Sequence, residues 1–305
     1  MEPLIAVCIP CLNEASTIGT VIHDFKTQLP RAHIYVCDNR STDKSVHEAV
    51  AQGAVVLKEK RQGQGNAIRR MFDEIEADMY ILVDGDDTYP AEEARRLIQP
   101  IIDDEADMVV ATRLERGDED SFSLTRRWGN KLLRWVLNVC FRADLTDILS
   151  GYRVLSREFV KAIPLTSRGF EIEAELTLKA LTKGFVIQEI PTHYCARPEG
   201  SESKIRTFRD GYAIFMTIIA FTRDFRPMTF FPVISLILFI GGLIPGWRVI
   251  NAFLKTGRVH YISSGVLATS MIILSFFFLI TGFFIHTLNR RFDEISIMLR
   301  QKKIK

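Results

Sequence analysis

The sequence predicts an α/β protein, a mostly parallel sheet with helices on both faces, continuing into interfacial helices and two transmembrane helices. Three observations lead there. Short apolar runs alternate with segments of helical period from residue 4 to residue 111, the pattern of successive βαβ units. Polar residues cluster where those runs end. Late in the chain, two long stretches are almost free of charge.

Leu4–Pro10 (LIAVCIP) reads as the first strand, and Asn13–Ser16 opens a helical pattern reaching about Gln28. Ile34–Cys37 is a second strand, followed by a turn and a helix over about Thr42–Gln52. Ala54–Leu57 and Gly65–Ile75 repeat the unit, and Tyr80–Val83 is a fourth strand ending in carboxylates. Pro90 suits the first turn of a helix, with Glu92 and Glu93 near its positive end. Met108–Ala111 is a fifth strand. Ligands of such sheets sit outside the carboxyl ends of the strands. Asn13 and Glu14, Asp38 and Asn39, Asp84, Asp86 and Asp87, and Arg113 all follow strands, so four separate stretches converge on one site.

The tail differs in kind. Residues 1–200 hold 25 basic and 32 acidic side chains; residues 201–305 hold 14 and 5. Pro227–Trp247 is uncharged, as is Tyr261–Leu288 apart from His286, and a bilayer core takes about 20 apolar residues. Arg206, Arg209, Arg223 and Arg226 precede the first stretch; Arg290, Arg291, Arg300, Lys302, Lys303 and Lys305 follow the second. The connector carries Arg248, Lys255 and Arg258. The positive-inside bias then gives a hairpin with both termini cytoplasmic. The expected organisation is a catalytic domain over 1–204, an interfacial helix over 205–226, a hairpin over 227–289 (spans of about 228–250 and 261–288), and a basic tail over 290–305. Ile205, Phe208, Tyr212, Phe215 and Ile219 recur at helical steps between basic ends, as do Leu132, Trp135, Val136, Val139 and Cys140, which suits the headgroup plane. Gly241, Gly242 and Gly246 offer small contact points for homo-oligomers.

Met1–Pro10 lacks the basic start of a signal peptide, which places the soluble part in the cytoplasm. The five cysteines show no paired metal spacing and read as reduced. The acidic soluble part argues against nucleic-acid binding.

In DGDDTYP, Asp84 and Asp86 stand two apart, with Gly85 letting the chain turn between them. Two carboxylates so spaced can reach one hard cation, Mg2+ or Mn2+, and a cation beside a diphosphate stabilises it as a leaving group.

The strings IPCLNEASTI, CDNRSTDKS, VDGDDTYP and GFEIEAEL together resemble glycosyltransferase family 2. SGYR at 150–153 and HYCARPEGSESK at 193–204 are similar to its polyprenyl-phosphate transferases, which include dolichol-phosphate mannose synthases and bactoprenol-phosphate glucosyltransferases. The resemblance covers roughly 3–204, and the two-span tail is similar to the bactoprenol group. It implies a GT-A type nucleotide-diphospho-sugar transferase fold. By the resemblance Pro10, Asn13 and Glu14 line the nucleoside pocket, and Asp38 contacts base or ribose. Asp84 and Asp86 hold metal and diphosphate, and Glu171 is the acid near the acceptor. Asn39 replaces the second Asp of a frequent pair. Thr88 stands where many members carry Gln, which leaves metal coordination to be completed by water. An ionised lipid phosphate hardly needs a general base and asks instead for cations. Arg113, placed on the donor side, and Arg127, Arg153, Arg197 and Lys204, placed on the acceptor phosphate, are the candidates. The implied reaction is inverting transfer of a hexose from a nucleotide sugar, UDP-glucose favoured, to a polyprenyl phosphate, undecaprenyl phosphate favoured, for cell-envelope glycans. The other readings are a GDP-mannose-dependent mannose synthase, a polysaccharide synthase and a non-catalytic membrane scaffold. The synthase reading lacks its Q-x-x-R-W motif, for which KLLRW at 131–135 is the nearest string.

Overall fold

The structure, a computed structural model, describes residues 3–113, 137–139, 141, 143–195 and 207–303. It divides into two compact units, Met1–Ile218 and Ile219–Lys305. In the first, the chain runs β1 (Ile5–Cys11), α1 (Ile18–Gln28), β2 (His33–Asp38), α2 (Ser45–Ala51), β3 (Val55–Lys58), α3 (Gln64–Glu74) and β4 (Met79–Leu82). A 3₁₀ turn (Ala91–Glu93) leads into α4 (Ala94–Ile102), then β5 (Met108–Arg113), β6 (Arg153–Ser156), α5 (Arg157–Ala162), α6 (Ile172–Lys183) and β7 (Ile187–Thr192). The seven strands lie in the order β3-β2-β1-β4-β6-β5-β7. Among the described strands only β6 is antiparallel to its neighbours, with Leu82 opposite Arg153 and Val110 opposite the same residue.

Period-two alternation divides the core between the faces. Val7, Ile9, Ile81, Val109 and Val154 join Ile18, Ile22, Phe25 and Leu97 on one side. Ala6, Cys8, Tyr80, Val110 and Leu155 join Ile68, Met71, Phe159 and Leu176 on the other. Both layers exclude water, so these strands are apolar on both faces, as covered parallel strands must be. Cys8, Cys11 and Cys37 are buried within this core and are not joined in disulfides. Burial, helped by the nearby Glu59 carboxylate, pushes the Cys37 thiol up to about 12, so it stays protonated and unreactive.

Three sequence expectations need correction. The first helix starts at Ile18, not near Asn13, because Asn13 adopts a left-handed φ of 52° and the following amides are used elsewhere. Pro90 stands before a 3₁₀ turn rather than inside an α-helix. The sheet also gains β6 and β7, which the apolar pattern did not announce: β6 is four residues long, and β7 (IQEIPT) mixes charge and proline at an edge.

The loops over the strand ends are tied by side chains. Asn13 N–H donates to Ser41 Oγ (3.0 Å), Glu14 N–H to Ser45 Oγ (2.8 Å) and Ala15 N–H to Asp43 Oδ2 (3.1 Å), while Asn13 Oδ1 accepts from Thr42 N–H (2.7 Å). Asn39, 3% exposed, donates through Nδ2 to Arg61 O (2.7 Å) and accepts at Oδ1 from Gly63 N–H (2.6 Å). Its backbone N–H reaches Cys11 O at 2.8 Å. An aspartate could not make the Nδ2 bond, which explains the amide here.

Helix α7 (Thr207–Phe225) runs across the boundary between the units. In the second unit, α8 (Pro227–Thr256) and α9 (Ile262–Lys303) form a helical hairpin closed at Gly257, φ 68°. Their apolar segments, 227–256 and 262–292, each hold an 18-residue window, of mean hydropathy 2.1 and 2.3, and are long and apolar enough to cross a membrane. Less than a quarter of each window is buried, unlike a soluble core helix. Gly241, Gly242 and Gly246, offered above as contact points between copies, pack inside the hairpin. A Cβ on Gly242 would meet Ile272, the Ala268 carbonyl and Met271 at 3.0–3.2 Å, and one on Gly241 would meet Met271 at 2.7 Å. The Ser235 and Ser275 hydroxyls pair at 3.4 Å between the helices.

Replacing Asn39 by alanine orphans the Arg61 carbonyl and the Gly63 N–H, and is expected to destabilise the protein by about 2 kcal/mol. Thermal unfolding of the full chain in detergent checks this.

Candidate active site

Pro10, Asn13, Glu14, Asp38, Asp84, Asp86 and Arg113 lie at or just beyond the carboxyl ends of the parallel strands. β1 ends at Cys11, β2 at Asp38, and β5 at Arg113. Because β6 runs the other way, its beginning reaches the same edge. Pro10 pairs with Cys37 in the ladder. Asn13 is exposed and Glu14 half-buried in the stitched loop, and Asp38 Oδ1 accepts from Ser41 N–H at 3.0 Å.

Asp84 and Asp86 follow β4. Asp84 is half-buried and bracketed. The Gln64 amide donates to its Oδ1 at 3.1 Å, and a Cβ on Gly151 would fall 2.4 Å from its Oδ2. Only glycine at 151 leaves the carboxylate its place. Gly151 itself is held by Tyr89, whose hydroxyl accepts from Gly151 N–H (3.2 Å) and pairs with Ser150 Oγ (3.3 Å). Asp86 is 4% exposed, and Thr88 Oγ donates to its Oδ1 at 2.6 Å. Thr88 is thus committed to orienting Asp86. Asp87 takes a left-handed φ of 58°; burial, then the Asp24 and Asp86 charges, raise its carboxyl above the usual range.

Arg113 makes a two-pronged pair with Asp147, Nε to Oδ2 and Nη2 to Oδ1, both 2.7 Å. Its guanidinium lies 5.7 Å from the Tyr194 ring. That pair keeps the Asp147 carboxyl below the usual range despite desolvation.

Arg153 requires a correction. It is fully buried, giving Nε–H to Ser150 O (2.9 Å), Nη1–H to Thr177 Oγ1 (2.8 Å) and Nη2–H to Ile148 O (2.6 Å). A phosphate has no access to it, so it is a positioning residue beneath the site. Arg127, Arg197 and Lys204 lie outside the described residues.

At the start of α6, Glu171 turns back on its own loop, its Oε1 accepting from Arg168 N–H and Gly169 N–H at 3.0 Å each. Glu175 clamps Thr166 and Ser167 and pairs with Lys179 at 2.7 Å. The carboxyl that feels Asp84 is Glu173. Desolvation, then the Asp84 charge, push it up to about 8, so it keeps its proton at neutral pH. Sequence reasoning missed Glu173, Gln64, Tyr89 and Asp147. The R-Q-G-Q-G-N string, with glycines on both sides of Gln64, was the one available signal.

Among the described residues, no three His, Cys, Asp or Glu side chains converge on a metal position. Two half-buried or buried aspartates at a tight turn, with an amide oxygen close by, nevertheless match the oxygen preference of Mg2+ or Mn2+. Asp84 and Asp86 are the residues that would hold such a cation.

The profile of glycosyl transferase family 2 matches residues 6–163. The chain belongs to that family. Glycosyltransferase AglJ of Haloferax volcanii is 34% identical over 229 residues, covering 74% of this chain and 75% of that protein. The dolichyl-phosphate hexose transferase of the same organism is 29% identical, over 70% of this chain and 92% of its own length. The crystal structure of Mycobacterium tuberculosis glucosyl-3-phosphoglycerate synthase with Mn2+, UDP-glucose and phosphoglyceric acid superposes with a TM-score of 0.62 at 20% identity, covering 72% of this chain and 80% of that one. The sheet is therefore that of the GT-A glycosyltransferases, and the chain is a glycosyltransferase. The family match covers the acidic turn and the SGYR segment, whereas Glu171 and Glu173 lie beyond its end.

Gly151→Ala is expected to weaken Mn2+ binding about tenfold by displacing Asp84, with little change in unfolding temperature. Calorimetric titration of the full-length variant checks this.

Proposed function

We propose that this glycosyltransferase moves a hexose from a nucleotide sugar, UDP-glucose favoured, to a polyprenyl phosphate, undecaprenyl phosphate favoured, with inversion at the anomeric carbon. The observation that carries the proposal is the bracketed Asp84 beside Asp86 at the end of β4. A divalent cation held by these two would supply charge neutralisation to the departing nucleoside diphosphate. The stitched loop of Asn13, Glu14 and Asp38 forms the nucleoside side of the site. The solved neighbour that holds UDP-glucose shares the fold, and a relative named for dolichyl-phosphate hexose transfer supports a lipid-phosphate acceptor.

The acceptor oxygen is already ionised at neutral pH, so the chain's task is alignment and charge compensation rather than proton removal. Arg113, fixed by Asp147, presents positive charge at the strand ends. Arg127, Arg197 and Lys204 are proposed to grip the acceptor phosphate, and Glu171 to stand near the acceptor. The two long apolar helices are proposed to insert as a hairpin in the cytoplasmic membrane with both termini inside. Tyr212 and Met216 on α7 are exposed, consistent with a helix lying in the headgroup plane.

Asp84→Asn and Asp86→Asn are each expected to lower turnover at least about a hundredfold, and EDTA to abolish it. Release of nucleoside diphosphate from a panel of nucleotide sugars with undecaprenyl phosphate measures both. Full activity in EDTA refutes the metal role. Arg197→Ala is expected to raise the acceptor KM or lower kcat at least about tenfold, the loss of a charged phosphate contact, while donor affinity by calorimetry stays unchanged. A parallel loss of donor affinity would move Arg197 to the donor side.

A further inference from the structure

We propose that Gln64 completes the cation site from outside the acidic turn, its side-chain oxygen serving as a ligand, directly or through one water, while its amide nitrogen fixes Asp84. The inference rests on the metal-dependent reading above. Family resemblance expects a glutamine two residues after the second aspartate, and this chain has Thr88 there. Thr88 cannot stand in, because it is 1% exposed and its hydroxyl is spent on Asp86. The glutamine arrives from another element, the first turn of α3.

Its orientation is determined. Nε2 donates to Asp84 Oδ1 at 3.1 Å; turned over, the amide would set its oxygen against a carboxylate oxygen, acceptor facing acceptor. The oxygen hangs from the same carbon as that nitrogen, so it lies beside Asp84. Gln64 Oε1 is buried and receives no hydrogen bond. Native proteins rarely leave a buried acceptor without a donor, and a bound ion or water is one of the partners that such an atom takes. An uncharged amide oxygen is a ligand of the type hard cations take. It also explains how a site with two carboxylates, and no third His, Cys, Asp or Glu among the described residues, can surround a cation.

The backbone under Gln64 is fixed tightly enough to aim it. Gly63 N–H bonds to Asn39 Oδ1 at 2.6 Å. A Cβ on Gly63 would fall 2.1 Å from the Arg168 carbonyl oxygen, and one on Gly65 would fall 2.4 Å from that of Ser167. The first turn of α3 is thus wedged between two loops, and Gln64 projects from it toward Asp84.

The test titrates Mn2+ into the full-length protein in detergent with saturating UDP, following free Mn2+ by electron paramagnetic resonance. Gln64→Met, which keeps the volume and removes both polar atoms, is expected to weaken Mn2+ at least about tenfold. Gln64→Glu, which keeps an oxygen and loses the N–H, is expected to bind Mn2+ as tightly as the parent or more tightly. Unfolding temperatures confirm that the variants fold, and Gln64→Asn, one methylene too short to reach, replaces Gln64→Met if that variant does not. Parent-like affinity in Gln64→Met overturns the proposal, as does Gln64→Glu binding more weakly than Gln64→Met, which would leave the side chain a purely orienting role. Loss of Mn2+ in Asp84→Asn without loss in Gln64→Met sinks this inference alone. A parent protein that does not bind Mn2+ with UDP sinks the metal reading and this inference together.

Discussion

The reversed strand β6 is the constraint on which the site depends. Slotted between β4 and β5, it must enter the sheet from the carboxyl edge of its neighbours. That brings Ser150, Gly151 and Arg153 to the place where the other strands end. The ladder then puts Arg153 opposite Leu82, beneath the aspartates. A guanidinium there is costly to desolvate, and burial lowers its hold on a proton. The chain answers with two carbonyls and a hydroxyl. Glu173, uncharged at neutral pH, adds no further anion to a site that already contains Asp84 and Asp86. Charge is thus kept where an incoming cation would meet it.

The loops above the sheet show the same economy of partners. Asn39 ties two segments to its own, its backbone N–H bonding the end of β1 and its buried side-chain amide bonding the carbonyl at 61 and the N–H at 63. Serines 41 and 45 and Asp43 occupy the amides of residues 13–15, which would otherwise begin a helix. This corner of the carboxyl edge is tied by hydrogen bonds between neighbouring strand ends, which leaves its surface polar.

Much of the first half was legible because strands buried on both faces read as unbroken apolar runs. Strands β1 to β5 came out within two residues of their bounds, and the carboxylates at 84 and 86 stood out at the end of one. Strand β6 was not legible: four residues beginning with an arginine look like a loop until the partner strands are known. Arg153 was misjudged for the same reason, since its burial follows from a non-local pairing with residues 82 and 110. Glu173 was hidden by spacing. Around the start of α6, Glu171 and Glu175 share a face and Glu173 lies on another, and only tertiary structure shows which of the faces turns toward Asp84. The tail was the easiest part, because composition alone marks helices of that length, although the glycines on α8 turned out to serve its neighbour helix within the same chain.

The contact of Gly63 and Gly65 with the carbonyls of Arg168 and Ser167 has a mechanical consequence. Backbone touches backbone there with no side chain between to act as a spring, and neither glycine can gain a Cβ without a collision. Glu175 and Lys179 pin the other side of the same 164–168 segment to α6. The turn bearing Gln64 is therefore seated directly on the segment that leads to Glu171, and a side chain at either glycine would push the two apart.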